Sequence, residues 1–261
     1  MDADADVDVA STPSGGAAPA PGTPPAAPGV AARTRRHAER DLSALVVAIE
    51  FTLISVMVGV VLFPLTEVGT ALFRDLAFEF WPYLACGLAL TLYMWTSVID
   101  HSLTFVGWPM DLGHNLLYIV DAVVLAIQMH FVVDPVGWFA TSTLAAVLTT
   151  ATMAYDLRLI RRRRGDATGP AAALYQAVLA QQRRQVRAAP AFLLLAAVPL
   201  LLLLALPDVF GAAHGHWHLA LIALQLLAVL AALGQAVRTF SGWTEPIVRQ
   251  AMAGLEPESV A

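Results

Sequence analysis

Charge is scarce in this sequence. Asp, Glu, Lys and Arg make up 13% of the 261 residues, about half the share usual in a soluble domain, and lysine is missing altogether, so all fifteen basic residues are arginines. Cysteine occurs once, as Cys86 inside an apolar run, which excludes an intrachain disulfide and leaves the redox compartment unreported. Several signatures are also missing: G-x-S-x-G, H-E-x-x-H, a Gly-rich phosphate loop and a cysteine pair. Hydrolase, zinc-protease and nucleotide-binding chemistry therefore have no motif to rest on. The first residues have neither the basic start nor the apolar core of a cleaved leader, so the first helix is expected to act as an uncleaved signal-anchor.

What the chain has instead is hydrocarbon. Its residues are 58% hydrophobic, with a mean hydropathy of +0.67. Apolar runs near 42–64, 79–103, 113–133, 137–158, 190–209 and 217–238 each approach the roughly 20 residues that cross a bilayer as a helix. The expected fold is all-α, a polytopic integral membrane protein of six transmembrane helices. Residues 1–32 form an acidic, Pro/Ala-rich cytoplasmic tail with nothing to bury, expected to be disordered. Residues 33–158 hold helices one to four and 159–188 an Arg-rich loop with an amphipathic helix. Residues 189–240 hold helices five and six, and 241–261 a cytoplasmic tail.

Arginine placement gives the orientation. Arg33, Arg35, Arg36 and Arg40 precede the first run, the largest group lies between the fourth and fifth, Arg238 and Arg249 follow the last, and Arg74 alone falls on the opposite side. The positive-inside rule then puts both termini in the cytoplasm, in the plasma (inner) membrane. Arg161, Arg162, Arg163 and Arg164 are consecutive and lie beyond a span, as suits a topology anchor on anionic lipid headgroups rather than a voltage sensor or a nucleic-acid site. The segment after Pro170 reads as a helix that either lies on the membrane or extends the fifth span inward. It could also engage a cytoplasmic partner, and homo-oligomer formation stays open.

Polar residues within the runs fall at helical spacing. The second run carries Glu79, Tyr83, Cys86, Tyr93, Ser97 and Asp100; the third His114, Tyr118, Asp121 and Gln128; the fourth Ser142, Thr149 and Asp156. This pattern predicts that helices one to four form a polar-seamed bundle, with the almost wholly apolar helices five and six outside it. Counting about 1.5 Å per residue from the cytoplasmic ends puts Glu50 and Asp121 at one depth, near Tyr93 and Thr149. An ionised carboxyl at depth costs on the order of 3 kcal/mol, so the two acids are expected either to stay neutral or to hold a proton or cation, with Tyr93 and Tyr118 beside them.

Nearer the cytoplasm, Asp100, His101, His114 and Asp156 form the expected mouth, with Gly107, Pro109 and Asp111 making the turn between helices two and three. Their nitrogen and oxygen donors would also suit zinc, and His101 with His114 could in principle hold a haem. On the outer face His130, Asp134, His214, His216 and His218 are candidate ligands for zinc or copper, the last three projecting to one side if their loop is extended. Ligands stand about 2 Å from a metal while the hydrocarbon is about 30 Å thick, so the two histidine groups cannot share an ion. Three functions remain open: a proton- or cation-coupled transporter or channel-like protein using Glu50 and Asp121, a non-catalytic membrane scaffold or accessory subunit, and a membrane-embedded metalloenzyme with a His/Asp site on one face.

Overall fold

The computed structural model describes residues 28–104, 112–166, 170–211 and 216–244. The side chains of some helical residues, Glu50 and His101 among them, fall outside that description. Asp111, Gly107, Pro109, His214 and the tail residues 1–27 and 245–261 also lie outside the described residues. The chain divides into two units, Met1–Asp41 and Leu42–Ala261, and the packing between helices lies within the second.

Among the described residues the secondary structure is helical: α1 (Pro28–Arg74), α2 (Trp81–Thr104), α3 (Leu112–Met129), α4 (Pro135–Asp166), α5 (Pro170–Ala205), the single turn α6 (Pro207–Phe210) and α7 (Trp217–Thr239). A 3-10 turn, Phe78–Phe80, leads into α2, and a π turn, Phe240–Thr244, follows α7. Prolines open several of these helices. Pro82, Pro135, Pro170 and Pro207 each sit in a first turn, where the missing N–H has no intrahelical partner to lose. Asp134 caps α4, its Oδ1 accepting the Val136 amide at 3.1 Å.

Five segments are long and apolar enough to cross a membrane: Phe51–Arg74, Phe78–Asp100, Pro135–Arg162, Tyr175–Ala205 and Trp217–Gly242. This is the profile of a multi-pass integral membrane protein. The run expected at 113–133 forms the shorter apolar helix Gly113–Met129. Prolines do not end two of these helices. Pro64 lies inside α1, which continues to Arg74, and Pro190 and Pro199 lie inside α5. Neighbouring hydroxyls and helices can satisfy the carbonyls that proline frees in hydrocarbon.

Within residues 159–188, α4 extends to Asp166 and α5 begins at Pro170. Of the alternatives for the amphipathic segment, the structure adopts the continuous extension of the fifth span. Ile160 of α4 meets Val178 and Leu179 of α5 in a small buried cluster that clasps the two extensions together. The last two long helices, expected outside the bundle, contribute Leu203, Ile222 and Val229 to the core: α5 packs along α4, and α7 along α2. The larger core joins Val61 and Leu65 of α1, Tyr83 and Cys86 of α2, Met129 of α3, Trp138 and Phe139 of α4, and Ile222 of α7.

The turn between α3 and α4 fixes how those helices meet. Phe131 N–H donates to the Gln128 carbonyl and Asp134 N–H to the Phe131 carbonyl, both at 2.9 Å. Gly137 lets the turn close, since a Cβ there would stand 2.3 Å from the Phe131 ring and 2.7 Å from Asp134 Oδ2.

Candidate functional site: a polar ladder beside an internal cavity

His114, Asp121 and Gln128 are seven residues apart on α3, as are Ser142, Thr149 and Asp156 on α4. Seven residues make two turns at the coiled-coil period of 3.5, so each set forms one straight stripe. The tight turn after α3 sets the stripes face to face in opposite directions, and they pair rung by rung. Gln128 Nε2 donates to Ser142 Oγ at 2.7 Å. Thr149 Oγ1 donates to Asp121 Oδ2 at 3.0 Å. His114 Nδ1 and Asp156 Oδ1 form a hydrogen-bonded pair at 2.7 Å. Successive rungs stand about 10.5 Å apart along the helices. Asp121, Gln128, Ser142 and Asp156 are buried, and the Tyr118 ring lies edge-on to His114 with centroids 4.6 Å apart.

The opposite face of α3 carries Leu116, Ile119, Val120, Val123 and Ile127, all exposed. α3 is therefore amphipathic with its polar stripe turned inward, the arrangement expected when the outer solvent is lipid.

A cavity of about 140 Å³ runs beside the ladder, bounded by α2, α3, α4, α5 and α7. Asp121, Gln128, Thr149, Tyr93, Gln185 and Gln225 contribute to its wall. Three of these residues hold a buried acceptor without a donor among the described residues: Asp121 Oδ1, Gln128 Oε1 and Gln185 Oε1. Unpaired buried acceptors each cost about 1–3 kcal/mol, and all three border the same cavity. What they lack is a proton donor or a positive charge.

The cavity's two ends differ. At the α4 N-terminal end, Trp138 Nε1 donates to Gln225 Oε1 at 2.9 Å, and the Tyr83 hydroxyl lies 3.0 Å from His218 Nδ1. Tyr83 also meets Trp138 edge-on at 5.4 Å, so α2, α4 and α7 are joined by one buried aromatic and amide cluster. At the other end the Tyr93 ring stacks on Phe192 of α5 at 6.3 Å, and Asp100 Oδ2 accepts from Gln181 Nε2 at 3.0 Å.

The structure thus draws together Asp121, Tyr93 and Tyr118 around the cavity, and His114 with Asp156 at one end of the ladder. Asp100 engages α5. Glu50 is placed only as a residue of α1, and His101 only as a residue of α2. The outer histidine group comes apart: His218 belongs to α7 and is buried against Tyr83, while His216 and His130 are exposed and Asp134 caps a helix. The loop therefore does not extend through His218 as a one-sided strand. Among the described residues no three His, Cys, Asp or Glu side chains are grouped to hold a metal ion.

Gln128, Gln185 and Gln225 gain a weight that hydropathy alone had not given them. Gln225 shows as a lone amide in an apolar helix, and its partner Trp138 is out of view in sequence. Gln185 falls in the segment after Pro170, whose two readings left its face open; on a continuous α5 it stands seven residues before Phe192, on the same face. No protein family, curated protein or solved structure matches the chain.

Proposed function

We propose that this is a proton-coupled transporter or a channel-like membrane protein in which Asp121 accepts and releases the transferred proton. One observation carries the proposal: the Asp121 carboxyl is buried midway along the ladder, one oxygen held by Thr149 and the other bordering the cavity without a donor. A proton fits better than a metal cation. Two oxygens bound to one ion at about 2.3–2.6 Å stand within about 5 Å of each other, whereas the Asp121 and Gln128 rungs are about 10.5 Å apart. The cavity has room for several waters, at about 30 Å³ each, to link the rungs.

In this proposal His114 and Asp156 form the cytoplasmic mouth with Asp100 and His101, and Glu50 is a second carboxyl at the depth of Asp121. The ladder also favours α3 as a sixth crossing. Its 18 residues span about 27 Å, close to the roughly 30 Å of hydrocarbon, and it runs antiparallel to α4 along all three rungs. The arginine-rich extensions of α4 and α5 support the alternative of a membrane scaffold, since their buried clasp makes a firm arm beyond the bilayer.

Proteoliposomes enclosing a pH-sensitive dye test the proposal. The wild-type protein dissipates an imposed proton gradient; Asp121→Asn slows this at least tenfold, and Glu50→Gln slows it as well. Absence of flux with wild-type protein, or equal flux with Asp121→Asn, overturns it.

A further inference from the structure

A second, larger cavity of about 750 Å³ opens at the other side of Tyr93 and Phe192, toward the arginine-bearing helix ends. It falls within the roughly 300–1,000 Å³ of sites that enclose a small ligand. Ala180 and Ala188 of α5 face Ala228, Ala232 and Ala236 of α7 across it. These small side chains leave an apolar trough between the helices. Two guanidiniums border the same space, Arg184 from α5 and Arg238 from α7. The neighbouring Arg183 and Arg187 do not line it.

Among the described residues neither the Arg184 nor the Arg238 guanidinium has a hydrogen-bond or ion-pair partner, and the Arg238 carbonyl accepts from Ser241 Oγ. The acid of the cleft, Asp100, accepts from Gln181. Gln235 and Thr239 add polar groups near Arg238. Two cations bordering one cavity repel a third cation and attract an anion. Their planar forks match phosphate oxygens in paired hydrogen bonds, stronger than neutral ones. An inorganic anion would use only this rim and leave the alanine trough empty. A ligand that fills both is amphipathic.

We infer that the cleft between α5 and α7 binds a phosphate-bearing amphiphile, its phosphate between Arg184 and Arg238 and its hydrocarbon along the alanine trough. The site lies beside the ladder and does not depend on proton movement through it. Diacyl lipid of the surrounding bilayer is one source of such a molecule, and a soluble phosphate would share only the head-group chemistry.

Native mass spectrometry of the full-length protein in neutral detergent, titrated with dioleoyl phosphatidic acid, tests this. One lipid is retained per chain, and dioleoylglycerol, which lacks the phosphate, is not. Arg184→Gln with Arg238→Gln weakens retention at least tenfold, while Arg183→Gln with Arg187→Gln, an equal loss of charge, leaves it unchanged. Ala180→Phe fills the trough with both guanidiniums in place and also weakens retention. Should the double glutamine variant fail to fold, Arg184→Lys with Arg238→Lys keeps the charge without the forks and reduces retention several-fold. Equal losses from the two arginine pairs, unchanged retention in the lysine pair, binding of dioleoylglycerol, or inorganic phosphate binding as tightly as phosphatidic acid would each overturn the inference.

Discussion

Thr149 holds Asp121 in place through one hydrogen bond, and what it contributes can be separated from what the carboxyl does. With Oδ1 lacking a donor, the Thr149 hydroxyl is the carboxyl's contact across to α4. Thr149→Val keeps the shape and removes the donor, leaving both oxygens of a buried acid unpaired at a cost of about 1–3 kcal/mol. A lower thermal midpoint in detergent is expected, whereas Thr149→Ser retains most of the stability. Equal stability of the valine and wild-type proteins would mean that Asp121 finds its donor elsewhere. Part of this arrangement was legible in the sequence, because His114, Asp121 and Gln128 recur at intervals of seven in one apolar run and Ser142, Thr149 and Asp156 in the next. His218 was misleading for a physical reason: alternation in "HGHWH" implies a common side only in extended chain, and α7 begins at Trp217, which turns His218 inward to Tyr83.

The elements owe their pairing to a turn, and the turn owes its tightness to Gly137. The rungs fall symmetrically about Pro135 because only a few residues separate the end of α3 from the start of α4. A Cβ at residue 137 must displace the Phe131 ring and the capping Asp134 carboxylate together. Gly137→Ala is expected to cost about 1–3 kcal/mol as overpacking and to slow proton flux, since any shift in the turn propagates to every rung. Thermal unfolding and the proteoliposome assay measure the two effects on one preparation. Unchanged stability would show that the turn relaxes without disturbing the ladder. Helix existence and type were legible from hydropathy, but helix ends were not: the apolar runs stop near residue 64 and resume near 190, whereas α1 continues to Arg74 and α5 begins at Pro170. Hydropathy does not decide between a surface helix and an inward extension after Pro170, so Gln185 and the arginine cleft could not be placed on the inner face of α5.

Across the whole molecule the cross-helix pairs specify direction. Tyr83 and His218 join the starts of α2 and α7, so these run the same way; Gln128 and Ser142 join the end of α3 to the start of α4, so these run oppositely. Gln182 of α5 donates to the Met153 carbonyl in the second half of α4, reversing direction once more. Successive long helices from α2 to α5 therefore alternate, which gathers Arg158, Arg161, Arg162 and Arg164 of α4 with Arg183, Arg184 and Arg187 of α5 at one end. Arg74 and Asp75 close α1 at the end from which α2 departs. The positive-inside bias predicts that the arginine-rich end faces the cytoplasm. Cys86 is buried, so engineered cysteines can be read against a low background. A membrane-impermeant maleimide is expected to label Asp75→Cys in intact cells and Arg162→Cys only after the cells are opened; both positions are exposed. Labelling in the reverse order would invert the molecule and place the His114–Asp156 end of the ladder outside. Labelling of both positions in intact cells would instead remove the alternation, and with it the proposed crossing of the membrane by α3 that the proposed proton transfer requires.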